Sequence, residues 1–173
     1  KKNKYLNISF VAKKNWCEFL KKKKIFYVLV LVSDGKLRNK LINQSLKNNI
    51  KVLSAIHDTA IILNKELIGL GAVIEPYVFI GHNVEINNGV VIQERSSIEH
   101  NSVIENGVTI NPRCQINGNC HIKNFALIHS GALLFNKITI GKNSVVGAGS
   151  LVNKNVIANT LVYGRPAKKI RKI

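Results

Sequence analysis

"GAVIEPYVFIGHNVEINNGVVIQERSSIEHNSVI", residues 71 to 104, decides the fold. Every sixth residue in it is isoleucine: Ile74, Ile80, Ile86, Ile92, Ile98 and Ile104. The step continues outward in both directions, from Ile56 to Val152. Seventeen consecutive positions carry Ile, Leu or Val without one insertion. A repeat of this regularity overrides local propensity. A second register follows four residues behind the first. It runs through Ala72, Val78, Val84, Val90, Ser96, Ser102, Val108, Cys114, Cys120, Ala126 and Ala132, and on to Ile138, Ser144 and Ser150. These residues are small or β-branched, with Ile138 the largest.

Period six fits neither a helix of 3.6 residues per turn nor a two-residue alternation. It fits a chain that makes a short strand, turns a corner and repeats. Three such strands close a triangular coil of eighteen residues. The aliphatic at each hexad start is then expected to point inward and stack on the residue eighteen positions later. The small residue fills the corner, and the core grows in one dimension as coils stack. Gly69, Gly81, Gly141, Gly147, Asn87 and Asn117 follow a hexad start directly, where the turns are expected to need permissive backbone angles.

Residues 25 to 53 follow a different rule. Ile25 to Val32, "IFYVLVLV", is too short to span a bilayer and predicts a buried parallel strand. A turn at Ser33-Asp34-Gly35 leads into an amphipathic helix, with Leu37, Leu41 and Leu46 expected on its packed face, and then a short strand at Ile50 to Leu53. Residues 1 to 24 are basic and predicted irregular. The resulting division is a truncated α/β segment over 1–53, the repeat over 54–160 and a C-terminal tail over 161–173.

The formal net charge is +17, with 46% hydrophobic and 20% charged residues, a globular composition. The lysines are scattered and interleaved with asparagines, so no basic stripe with aromatics points to nucleic acid. Attraction of anionic small molecules is the milder consequence of this charge. No signal peptide or membrane insertion is expected, and the missing starting Met is consistent with a piece of a longer chain. Three cysteines without a pairing pattern predict a reducing, cytoplasmic setting.

The repeat from about 56 to 157 resembles the hexapeptide-repeat acyltransferases. The run "TIGKNSVVGAGSLVNKNVIANTLVYGRPAKKIRKI" is similar to their final coil and tail. That resemblance implies an all-β, left-handed parallel β-helix; periodicity alone leaves the hand open. The segment before it resembles the end of a small nucleotide-sugar-binding α/β domain, without the glycine-rich first turn that would cradle phosphate. Within the superfamily, "PYV" at Pro76 to Val78, "SSIEH" at Ser96 to His100 and the spacing from His100 to Gly147 resemble the UDP-4-amino-sugar N-acetyltransferases of bacillosamine synthesis and their sialic acid O-acetyltransferase relatives.

This resemblance implies acetyl transfer from acetyl-CoA to an amino or hydroxyl group of a nucleotide-linked sugar. It also implies a homotrimer with active sites between neighbouring β-helices. His100 takes the place of the general base, a role that neutral imidazole suits. Asn101 replaces the acidic residue that usually follows it, Thr109 replaces a second histidine that contacts acetyl-CoA, and Gln93 replaces an asparagine on the substrate side. Cofactor contacts carried over fall on Thr109, Gly118, Ser130 and Ala148, with Gly147 and Gly149 keeping the groove open. Lys154, Arg165 and Lys168 suit CoA phosphates by charge. His82, one coil before His100, is a candidate for lining the substrate groove.

Blander readings stand beside these. His121 and His129 read as structural and His57 as a turn residue. Cys114 and Cys120 read as small buried hydrophobes and Lys21 to Lys24 as a solvated face. No close histidine pair suggests a metal. The alternative function is a non-catalytic trimeric β-helix scaffold or a degenerate relative.

Overall fold

An unbroken row of inward aliphatics is the signature of a solenoid core, and all fourteen hexad starts from Ile74 to Val152 are buried. The computed structural model describes residues 15–173 and shows why. Each aliphatic ends a two-residue strand that pairs in parallel with the strands eighteen positions away, as in Ile74↔Ile92 and Ile110↔Ile128. The chain thereby coils into a left-handed parallel β-helix of about six turns. Each fully buried isoleucine contributes roughly 2–3 kcal/mol, so the stack itself supplies most of the cohesion.

Three faces form. The first contains Ala55–Ile56, Val73–Ile74, Val91–Ile92, Thr109–Ile110, Leu127–Ile128 and Val145–Val146. The second contains Ile61–Ile62, Phe79–Ile80, Ser97–Ile98, Gln115–Ile116, Leu133–Leu134 and Leu151–Val152. The third contains Glu85–Ile86, Val103–Ile104, His121–Ile122 and Thr139–Ile140. The segment expected as a tail makes strands Thr160–Gly164 and Ala167–Lys172, an antiparallel hairpin that continues the first face. At the other end Ile56 is 42% exposed, against the inward packing expected of it, because no earlier coil lies below the first one.

The corners correct the sequence reading of the turns. From 71 to 149 the residue three after each hexad start has φ between +54° and +70°. The glycines and asparagines that directly follow a hexad start do not have positive φ. The glycines among them sit where backbone or rings of the next coil approach. An added Cβ would lie 2.7 Å from the Asn87 carbonyl carbon at Gly69, and 2.3 Å from the Ala158 nitrogen at Gly141.

The N-terminal part is a small α/β layer. Helix α1 (Trp16–Lys22) occupies the region expected to be irregular, whose first fourteen residues lie outside the described part. Strand β1 (Tyr27–Val28) precedes helix α2 (Gly35–Lys47), and strand β2 (Lys51–Val52) pairs with β1 in parallel. The buried strand predicted over Ile25 to Val32 is thus only two residues long. Val30 is buried, but Ile25, Phe26, Tyr27, Leu29 and Leu31 are exposed. A parallel strand buries its residues only when layers cover both faces. Here β1 has one strand neighbour and helix packing that reaches only part of it.

Asp34 caps α2, its carboxylate accepting from the Leu37 amide at 2.7 Å. The packed face of α2 is Arg38, Ile42 and Ser45, with Leu41 at its margin, rather than the leucines expected; Leu37 and Leu46 are exposed. The reason lies in the β-helix corner beneath. Gly71, Gly89 and Gly107 stack there, and an added Cβ at Gly71 or Gly89 would meet Ile42 Cδ1 at 2.7 or 2.8 Å. An added Cβ at Gly107 would lie 2.7 Å from the Gly35 carbonyl oxygen. Arg38, fully buried, completes the joint. Its Nε donates to the Gly89 carbonyl at 2.6 Å, and Nη1 to those of Val32 and Ser33 at 2.6 and 3.0 Å. Nη2 donates to the Gly107 and Val108 carbonyls at 3.1 and 3.3 Å. Burial pushes this guanidinium below its ordinary pKa, with Asp34 opposing, and its carbonyl partners offset the cost of burying the charge.

Candidate active site

His100 stands at the corner between the second and third faces, two residues after Ile98. Its imidazole lies against Gly118, the equivalent residue one coil on. An added Cβ at Gly118 would be 2.6 Å from both Cε1 and Nε2 of the ring. Gly81, near the same corner on the preceding coil, lies under the His100 backbone, with an added Cβ 3.1 Å from its nitrogen. Two glycines therefore make room for one histidine.

The side-chain amide of Asn101 lies 3.0 Å from His100 Nδ1. Asn101 has φ +56°, the left-handed angle that asparagine tolerates. It is held in turn by the Asn83 side chain at 3.2 Å and by donation of its backbone N–H to the His82 carbonyl at 2.9 Å. The contact is made by Asn101 Nδ2, an N–H donor, so Nδ1 is its acceptor, and Asn101 Oδ1 accepts from Asn83 Nδ2. Nε2 has no hydrogen-bond partner among the described residues. The ring is exposed and oriented; in this arrangement a neutral ring carries its proton on Nε2, and turning the Asn101 amide over would make Nδ1 the donor and Nε2 the acceptor that a base needs. His82 is exposed at the same corner, one coil earlier.

The other candidate residues lie elsewhere on the prism. Gln93 follows the first-face strand Val91–Ile92, its amide 3.5 Å from Glu75 Oε1. Burial, reinforced by the Glu94 side chain, raises the pKa of the Glu75 carboxyl. Thr109 begins a first-face strand, and its Oγ1 accepts from Arg38 Nη2 at 2.9 Å. Ser130 and Ala148 lie exposed at the corner between the first and second faces. Gly147 does not open a groove in this chain, because the Tyr163 ring fills the space, with Cδ2 2.3 Å from an added Cβ. Gly149 is open, with nothing within 4 Å of an added Cβ. Lys154, Arg165 and Lys168 are exposed near the C-terminal end. Within one chain, His100, Asn101, His82 and Gly118 come together, while Gln93, Thr109, Ser130, Gly147 and Ala148 follow the first face and its edge.

Between that face and the segment ahead of α2 runs a cleft with two cavities of about 240 Å³ each. Ser33 and Thr109 line both. One cavity is lined further by Glu75, Gln93 and Asn111, the other by Lys36, Phe125 and Asn143. Arg38, Glu75 and Asn111 were not singled out in the sequence. Arg38 looked like one more polar residue on a surface helix, and its signal was indirect: three glycines eighteen residues apart mark where α2 must lie.

The remaining candidates take ordinary roles. His121 Nε2 and Glu105 Oε1 are 2.6 Å apart, and His129 Nδ1 contacts the Asn111 amide at 3.1 Å. His57 sits at a turn against Thr59 and Asp58. Cys17, Cys114 and Cys120 are free and buried, and burial pushes the Cys114 thiol up to about 11. No group of three or more His, Cys, Asp or Glu among the described residues is placed to hold a metal. No described helix is long and apolar enough to cross a membrane.

Comparison with known proteins agrees with this geometry. Residues 71–106 match the family described as bacterial transferase hexapeptide (six repeats), and residues 138–154 match the hexapeptide repeat of succinyl-transferase. A galactoside O-acetyltransferase of Lactococcus lactis is 46% identical over 44 residues, covering 25% of this chain and 21% of that protein. The chain spans about a fifth of the length of the curated relatives it matches. Among solved structures, WeeI from Acinetobacter baumannii superposes with a TM-score of 0.77 at 28% identity, covering 83% of this chain and 70% of that one. PerB from Caulobacter crescentus, solved with CoA and GDP-perosamine, superposes with a TM-score of 0.90 at 23% identity, covering 96% and 80%. The hexads of residues 71–106 and 138–154 thus match the repeats of bacterial hexapeptide transferases, and the fold of the whole is similar to those of WeeI and PerB.

Proposed function

We propose that this chain is an acetyltransferase that moves acetyl from acetyl-CoA to an amino or hydroxyl group of a nucleotide-linked sugar, with His100 as general base. The observation that carries the reading is the His100 ring, seated on Gly118, held at Nδ1 by Asn101 and unpaired at Nε2 among the described residues. In the proposed step the Asn101 amide turns its oxygen to Nδ1–H, the acceptor nitrogen or oxygen attacks the thioester carbonyl, and Nε2 takes its proton. The carbon–sulfur bond then breaks, and the proton is returned to the departing CoA thiolate.

The spread of the other candidates favours a homotrimer. A neighbouring copy would bring the first-face residues Thr109, Ser130, Gly147 and Ala148, as cofactor contacts, opposite the His100 corner. Gln93 and His82 would line the acceptor side, and the α/β unit within residues 1–53 would help hold the nucleotide. Three buried free thiols and the use of acetyl-CoA suit a cytoplasmic enzyme. The second reading, a trimeric β-helix scaffold without catalysis, draws its support from Asn101, which orients the ring but supplies no charge.

The test is CoA thiol release from acetyl-CoA with a panel of UDP- and GDP-linked amino and hydroxy sugars, wild type against His100→Ala. Turnover with at least one acceptor, reduced about 10²- to 10⁴-fold in the variant, is expected. Equal turnover in the two proteins would remove His100 from the reaction. No turnover with any acceptor favours the scaffold.

A further inference from the structure

A guanidinium carries donors only, so in the contact between Arg38 Nη2 and Thr109 Oγ1 the threonine oxygen is the acceptor. The Thr109 hydroxyl proton must therefore point away from Arg38. Its side chain makes no other hydrogen bond among the described residues, and it lines both cavities of the cleft. Arg38 has no donor to spare. Gly89, Val32, Ser33, Gly107, Val108 and Thr109 take all five of its N–H groups. It cannot bind a substrate anion directly, and any influence it has on the cleft passes through Thr109.

We propose that Arg38 is a positioning residue that fixes the Thr109 hydroxyl as a donor aimed at an oxygen of bound acetyl-CoA. This rests on the acetyl-CoA reading above, in which Thr109 stands at a cofactor-contacting position. A free threonine hydroxyl rotates and serves as donor or acceptor alike. Tied to a buried cation, it offers only its proton, in one direction. The same guanidinium fixes α2 to the corner glycines, so the position of the helix and the direction of this donor are set by one group.

The experiment is calorimetric titration with acetyl-CoA, and separately with UDP, of wild type, Thr109→Val, Thr109→Ser, Arg38→Met and the double variant Arg38→Met/Thr109→Val. Thr109→Val is expected to weaken acetyl-CoA binding about five- to tenfold, the worth of one hydrogen bond, and Thr109→Ser to keep wild-type affinity. Arg38→Met is expected to weaken it about threefold and to add nothing in the Thr109→Val background. Additive losses, unchanged acetyl-CoA affinity in Thr109→Val, or a loss confined to UDP would each overturn the proposal. If Arg38→Met does not fold, as judged by circular dichroism, the two Thr109 variants decide, and serine behaving like valine overturns it. Wild type that binds no acetyl-CoA overturns the functional reading itself, a result distinct from wild-type binding with indifferent variants.

Discussion

Two corners of the same prism adopt the same backbone angle with different residues. Between the third and first faces the left-handed positions are Gly71, Gly89 and Gly107, with φ between +64° and +67°. Between the second and third faces they are Asn83, Asn101 and Asn119, with φ between +54° and +61°. On later coils the first corner holds Phe125 and Asn143 and the second Lys137 at the same angle, and Tyr77, Arg95 and Arg113 hold it at the third corner. The backbone therefore does not demand glycine at a corner. Glycine appears at the first of these corners because α2 lies on it, and asparagine at the second because that corner is left open for a histidine.

The most severe way to break this comparison is to exchange the two residue types. Gly107→Asn keeps a residue that accepts the angle but places side-chain atoms where the Gly35 carbonyl and the Phe125 ring already lie. A loss of at least about 3 kcal/mol is expected, read by denaturant unfolding, with faster hydrogen exchange in α2. Stability close to wild type would mean that α2 does not depend on that contact.

The open corner is tested by Gly118→Ala, whose Cβ would displace the His100 ring. About a hundredfold loss of transferase activity is expected with stability changed by no more than about 1 kcal/mol. An active Gly118→Ala enzyme would separate His100 placement from catalysis. The smallest effect belongs to Gly149→Ala, at φ +65° with nothing within 4 Å of the added Cβ. It should cost about 1 kcal/mol from the angle alone. A cost as large as that of Gly107→Asn would show that the angle, and not the packing, selects glycine.

The repeat was legible because burial imposes it. Every inward position repeats the same environment, so Ile74 to Val152 announce the coil without reference to anything distant. The corner angles lie two residues beyond the positions that the glycines and asparagines suggest. Glycine is commonly a mark of permissive φ, whereas Gly69, Gly81 and Gly141 answer to close approach by the next coil, which depends on a neighbour eighteen residues or so away. The leucines of α2 mislead for a related reason. Leu37 and Leu46 fit a helical stripe, but the helix is placed by Arg38 reaching carbonyls on two successive coils, and carbonyls have no sequence signature. His100 could be singled out by resemblance, while its seat on Gly118 needed the coil spacing to be turned into space.

The uninterrupted eighteen-residue register has a consequence for how such a chain can change length. One residue inserted between Ile74 and Ile80 would turn every later inward side chain outward unless the extra residue bulged from a corner. A whole coil can be duplicated or removed while each surviving residue keeps its vertical neighbours, shifting the two ends by about 4.8 Å along the axis. The molecule is in that sense a ruler with fixed graduations, and the distance between the α2 joint and the closing hairpin can be reset only in whole steps.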